Sequence, residues 1–206
     1  MVIIFLALGA NKRYKQVPNR ITLGNSFVAI KPTIYKLRIA LSDLERNHYD
    51  TLNLTVALHP SETTQRLIAR VLAFCLNAQE DLQFTKGLSD IEEPDIWRRT
   101  LDDQTSLWIE VGEPDSERIK KATRKAKAVK VYSFNTKSES WWSQSQSKFG
   151  FLNSEVVRFN AAEIEHLAGL LSRTVDWSIT ITGQSAYITD ESNHAEVTWE
   201  TLQELN

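Results

Sequence analysis

With only one cysteine, Cys75, the chain cannot form an internal disulfide, and a reducing, cytoplasmic setting fits better than a secreted one. Net charge is nearly absent too, at −2. So even a balance points to neither nucleic acid nor membrane as a partner of the whole chain, although it can hide local patches of either sign. Long hydrophobic runs are missing. Met1 to Leu8 is apolar but too short to cross a bilayer, and no positive charge precedes it as in a signal peptide. There is no Gly-rich phosphate loop ending in Lys-Ser/Thr, no Gly-x-Ser-x-Gly elbow and no pair of cysteines for zinc. The histidines, His48, His59, His166 and His194, are dispersed at spacings unlike a helical ligand pair. Cys75 falls on the apolar face of a predicted helix and reads as a core residue, not a nucleophile.

What is present suits one α/β domain. The chain is 42% hydrophobic over 206 residues, enough to fill a core without staples. Residues 1–28 read as a non-core extension, basic and polar from Asn11 to Arg20, and 29–206 as a single domain without repeat or linker. Tyr35, Leu37, Ile39 and Leu41 alternate with polar or small residues, as do Leu52, Leu54, Val56 and Leu58. That predicts two half-buried strands joined by a loop from Ser42 to Asp50. Pro60-Ser61-Glu62 marks a helix start, which places Glu62 in the first turn, and the apolar face from Leu67 to Cys75 carries the helix to about Asn77.

Leu82–Thr85, Ile96–Arg99 and Leu107–Val111 then read as three strands. Pro114-Asp115 opens a second helix with an apolar stripe of Ile119, Ala122 and Ala126. Val129 to Phe134 returns as a strand, and strand, helix, strand of this length implies a parallel crossover. Further on the pattern predicts a helix over Glu139–Ser147, a strand over Val156–Phe159 and a helix over Ala161–Leu171. A terminal antiparallel meander follows through Trp177–Ile181, Tyr187–Thr189 and Val197–Trp199.

The residues that point to chemistry are acids in apolar surroundings. Glu110 stands alone in Leu107-Trp108-Ile109-Glu110-Val111, where burying an unpaired carboxylate would cost several kcal/mol. Glu93-Pro94-Asp95 precedes it and Lys120-Lys121 follows. Two acids on neighbouring strands with an ammonium beside them are what a divalent cation and a phosphodiester require. Plainer readings stand beside this one. The stretch with Asp90, Glu92 and Glu93 is a solvated acidic loop, and an acid in a first helical turn gains from the helix dipole alone. The basic run from Arg118 to Lys130 is a solvated helix face. Helical phase puts Lys120 on the flank of the buried stripe and Lys121 nearer the outside. Trp141-Trp142 with Gln144 could stack bases beside a basic groove, yet one of two adjacent tryptophans normally packs into a core.

The helix, three strands, helix, strand order from Ser61 to Phe134 resembles the αβββαβ core of PD-(D/E)XK nucleases, here with an N-terminal β-hairpin and a C-terminal antiparallel β meander. The ordered segments Thr33-Ile34-Tyr35-Lys36, His59-Pro60-Ser61-Glu62, Leu82-Gln83-Phe84-Thr85, Glu93-Pro94-Asp95-Ile96-Trp97, Trp108-Ile109-Glu110-Val111-Gly112 and Arg118-Ile119-Lys120-Lys121-Ala122 resemble the bacterial YaeQ family, which is classed with that fold. The resemblance implies Mg2+ or Mn2+ held by Glu110, by Asp95 or Glu93, and by Glu62, with Glu110 and a lysine acting in catalysis. Gly112 stands where Glu-x-Lys would place that lysine, so Lys121 or Lys120 of the next helix takes the role. Arg118, Arg124, Trp142 and Gln144 are the expected nucleic-acid contacts. The leading expectation is a cytoplasmic magnesium-dependent nuclease or nucleic-acid-processing protein. Its rival is a non-catalytic module of the same fold that binds nucleic acid or a transcription-associated protein. No membrane partner is expected.

Overall fold

The computed structural model describes residues 31–86, Asp90 and residues 92–205. The expected extension over residues 1–28 and the strand close at Gly87 lie outside these residues.

The alternation at the start of the domain produces β1 (Thr33–Asp43) and β2 (His48–Leu58), paired antiparallel from Thr33↔Leu58 to Asp43↔His48. The ladder runs further than the polar sequence of the turn suggests, because Ser42, Asp43, His48, Tyr49 and Asp50 pair as strand residues. Asp43 continues the inward row of Leu37, Ile39 and Leu41 and is buried. It is matched by Arg46, whose Nε lies 2.6 Å from Asp43 Oδ2. Arg46 also donates to the Cys75 and Ala78 carbonyls at 3.1 and 3.0 Å, strapping the hairpin to the end of the next helix, where the Cys75 carbonyl takes the Ala78 N–H at 3.2 Å as well.

That helix, α1 (Thr64–Leu76), starts later than Pro60-Ser61-Glu62 predicts, because Thr63 is the cap and accepts the Arg66 N–H at 3.2 Å. Glu62 therefore precedes the helix and is not a first-turn acid. Leu67, Ile68, Val71, Leu72 and Cys75 are buried as the apolar face requires. Burial pushes the Cys75 thiol up to about 12.

The strands β3 (Leu82–Phe84), β4 (Ile96–Arg99) and β5 (Thr105–Val111) are antiparallel neighbours. Helix α2 (Ser116–Lys125), capped by Asp115, then crosses to β6 (Ala126–Ser133), which is parallel to β5. Ala126, expected in the helical stripe, opens the strand instead and pairs with Thr105. The period-two run Ala126-Lys127-Ala128-Val129-Lys130-Val131 outweighs a single helical match. Helix α3 (Ser138–Phe149), β7 (Glu155–Phe159), α4 (Ala161–Gly169), β8 (Thr174–Thr182), β9 (Ser185–Thr189) and β10 (His194–Gln203) complete the chain.

Among the described residues the strands form one ten-stranded sheet in the order β2-β1-β8-β9-β10-β7-β6-β5-β4-β3. The meander β8-β9-β10 is antiparallel, as the alternation suggests. Two pairings outside local sequence weld it into the sheet: β1 runs parallel to β8, and β10 antiparallel to β7. Side chains of β5, β6 and β7 alternate between two apolar clusters. Leu107, Ile109 and Val157 join the cluster that takes in α1 and α4, whereas Trp108, Val131 and Val156 join Ile119 of α2 and Phe149 of α3. Helices thus cover both faces, and the carboxyl end of β5 opens between α1 and α2. None of the described helices is long and apolar enough to cross a membrane.

Candidate functional site

A cleft of about 560 Å³ occupies that opening, and Glu62, Arg66, Asp95, Glu110, Glu113 and Arg118 are among its walls. The β4–β5 register pairs Ile96 with Ile109, so Asp95, in the bend just before β4, comes level with Glu110. Asp95 turns to the arginines of α1 and Glu110 to Trp108 and Arg118 of α2. Glu62 arrives from the turn before α1. The three acids are buried, at 8, 2 and 6% exposure, and burial of charge demands partners.

Those partners are arginines. Arg66 bridges two of the acids, with Nη1 2.9 Å from Glu62 Oε1 and Nη2 2.7 Å from Asp95 Oδ1. Arg70, one turn on, places Nη1 2.9 and 3.0 Å from the two Glu62 oxygens and Nε 3.9 Å from Asp95 Oδ1. The His59 N–H donates to Glu62 Oε2 at 3.2 Å, and the Val111 N–H to Asp95 Oδ2 at 2.8 Å. Glu110 Oε1 receives Trp108 Nε1 and Arg118 Nη2, both at 2.8 Å. Burial works against the Arg66 charge, but Asp95 and Glu62 outweigh it and hold the guanidinium above its ordinary pKa. Burial pushes the Glu110 carboxyl above the usual glutamate range; Arg118 and Trp108 pull it back and the Asp95 charge adds to the push.

The rim carries more acid than base. Lys86 Nζ lies 3.9 Å from both Asp90 and Glu93. Glu113 is held by hydrogen bonds alone, from the Phe134 and Asn135 N–H groups, the Asn135 amide and Ser138 Oγ. Glu93 lines the cleft, but its carboxylate faces Lys86 while its carbonyl accepts from Arg118 Nη2 at 2.8 Å. Among the described residues, no three His, Cys, Asp or Glu side chains are grouped so as to hold a metal ion.

The expected lysines stand elsewhere. Lys120 is exposed with Nζ 3.4 Å from Glu117 Oε1. Lys121 lines a separate groove along α2 with Trp108, Arg118 and Lys125. The cation of α2 at the acids is Arg118, and it walls both the cleft and that groove. Gly112 explains why β5 itself supplies no lysine. Its φ of +124° is a conformation that L side chains rarely adopt, although a Cβ there would meet nothing within 4 Å. Arg124 is exposed at the far end of α2, beside Lys125 and Lys127. Trp142 is half-buried, its ring edge-on to Phe149 at 5.8 Å, and Trp141 packs on the same Phe149 at 5.4 Å. Gln144 is exposed and donates to Ser140 Oγ at 3.2 Å.

Sequence reasoning passed over Arg66 and Arg70. Their signal was the four-residue spacing Glu62, Arg66, Arg70, which sets two cations on one side of α1 with an acid just before its start, and a lone charge within the apolar run Leu67 to Cys75.

Residues 28–199 match the family model described as YaeQ protein. The chain is 39% identical over 172 residues to "Uncharacterized protein YaeQ" of Salmonella typhi, covering 82% of this chain and 95% of that one. It is 38% identical to the protein of the same description in Escherichia coli (strain K12), with the same coverage. Among solved structures, the YaeQ protein of Xanthomonas axonopodis pv. citri superposes with a TM-score of 0.81 at 31% identity, covering 84% of this chain and 99% of that one. The Pseudomonas syringae YaeQ protein gives 0.79 at 32%, covering 84% and 96%.

Proposed function

The chain belongs to the YaeQ protein family, and from that premise we propose that it is a nucleic-acid-binding protein of nuclease-like layout that tracks phosphates along α2. The order α1-β3-β4-β5-α2-β6, with a parallel crossover through α2, is the layout that the resemblance to PD-(D/E)XK nucleases leads one to expect. The observation that carries the reading is the outer face of α2. Lys121 and Arg124 are exposed there and form no ion pair among the described residues, and the groove that Lys121 shares with Lys125 runs to Arg118 at the cleft. Lys121 and Arg124 stand about 4.5 Å apart along the helix axis, within reach of neighbouring phosphates, while Lys125 in the same groove is paired with Glu92 at 3.1 Å.

Metal-dependent hydrolysis is the second reading. It is favoured by the convergence of Glu62, Asp95 and Glu110 from three separate elements and by the acidic rim. It requires the buried acids to exchange their arginine partners for a cation.

The test is fluorescence anisotropy with single- and double-stranded DNA and RNA oligonucleotides in EDTA, across a salt series. Binding is expected to weaken with salt, and Lys121→Ala with Arg124→Ala should reduce the slope of log K against log[salt] by about one per cation removed. Absence of binding to every oligonucleotide would overturn the proposal and leave a transcription-associated protein as the occupant to seek. Cleavage under Mg2+ or Mn2+ that disappears in Glu110→Gln would establish the second reading instead.

A further inference from the structure

A divalent cation of the kind expected from the resemblance takes about six oxygen ligands, and the acids of this cleft have few oxygens left to offer. Glu62 Oε1 accepts from Arg66 and Arg70, and Oε2 from Arg70 and the His59 N–H. Asp95 Oδ1 accepts from Arg66 and Oδ2 from Val111. Glu110 Oε1 accepts from Trp108 and pairs with Arg118. On the donor side, Arg70 Nε is buried and finds no acceptor, standing 3.9 Å from Asp95 Oδ1. A site awaiting a cation shows the reverse, with acceptors crowded and unpaired.

We infer that Arg66 is the resident cation of this centre and keeps divalent metal out of the Glu62–Asp95 pair. Arg66 fits that role better than Arg70 for geometric reasons. It alone of the two lines the cleft and hydrogen-bonds both carboxylates, at 2.9 and 2.7 Å. Arg70 sits behind, 5% exposed against 15% for Arg66, and stays on Glu62 when Arg66 is removed. Loss of the Arg66 guanidinium frees Asp95 Oδ1 on the cleft side and raises the local negative charge by one. The inference goes beyond the nucleic-acid reading and does not depend on it, since that reading is measured in EDTA and on α2.

The experiment is Mn2+ binding followed by electron paramagnetic resonance, on the full chain, with thermal melts by circular dichroism to verify folding. The intact chain should leave Mn2+ free at equimolar metal. Arg66→Met should bind one equivalent about tenfold tighter or more, and adding Asp95→Asn should abolish the gain. Arg66→Lys, which restores a cation, should behave as the intact chain. Arg66→Gln, which keeps a neutral donor, serves should the methionine variant fail to fold, and is expected to bind Mn2+ as well. One equivalent bound by the intact chain and lost in Asp95→Asn would overturn the inference. A folded Arg66→Met or Arg66→Gln that binds Mn2+ no better than the intact chain would overturn it too.

Discussion

Arg66 and Arg70 in the cleft and Lys121 and Arg124 on α2 carry the same charge in opposite circumstances. The first two, Arg70 buried and Arg66 half-buried, stand against Glu62 and Asp95 at ion-pair distance. The second two are exposed on α2 and form no ion pair among the described residues, although Glu92, Asp115 and Glu117 line the groove that Lys121 shares. A buried cation is committed to its partners, because breaking the pair strands a charge in low dielectric. An exposed one is held by nothing stronger than water and is available to a phosphate. The difference separates a group that shapes the molecule from a group that can serve a ligand.

The comparison breaks most visibly at Arg70. Arg70→Met leaves Glu62 with one arginine in place of two, and unfolding in urea should show a loss of about 3–5 kcal/mol. A change below 1 kcal/mol would mean that the cleft pairs resemble surface pairs after all. The Arg46 strap should come next. Arg46→Ala takes the guanidinium from buried Asp43 and one donor each from the Cys75 and Ala78 carbonyls, with an expected loss of about 1–3 kcal/mol by the same measurement.

Glu110 sharpens the contrast through pH. Its carboxyl is raised in the folded chain, so the folded state holds that proton more tightly than the unfolded one. Its contribution to stability is therefore lost as pH rises from the ordinary glutamate value of 4.5 through the higher folded value. The stability difference between the intact chain and Glu110→Gln should vary with pH in that window and be flat above it; a flat difference throughout would remove the buried-acid assignment. The smallest effect is expected on α2, where Lys121→Ala and Arg124→Ala should each change stability by less than about 0.5 kcal/mol. A larger loss would show that this face is structural.

Legibility followed locality. The hairpin, both crossover strands, the meander and the apolar face of α1 were readable, because each is written as a short period in neighbouring residues. Glu110 was readable as an oddity in an apolar strand, and Asp95 as an acid near a strand start. The start of α1 was misread because Pro60-Ser61-Glu62 imitates a helix opening that Thr63 actually caps. The lysine of α2 was sought at Lys120 and Lys121, whereas one helical turn earlier Arg118 has the length and phase to reach Glu110.

By itself the sequence determined which segments are strands and helices, which faces are apolar, and that Glu110 stands alone among apolar neighbours, since periodicity and polarity act over a few residues. Tertiary structure alone decided that β1 lies parallel to β8 and that α1 faces the carboxyl end of β5. It also decided that arginines, not a vacancy, meet the acids of the cleft. Pairing between distant segments is selected by the total burial and charge compensation of the whole sheet, and no local spacing encodes which cation will stand within 3 Å of which carboxylate.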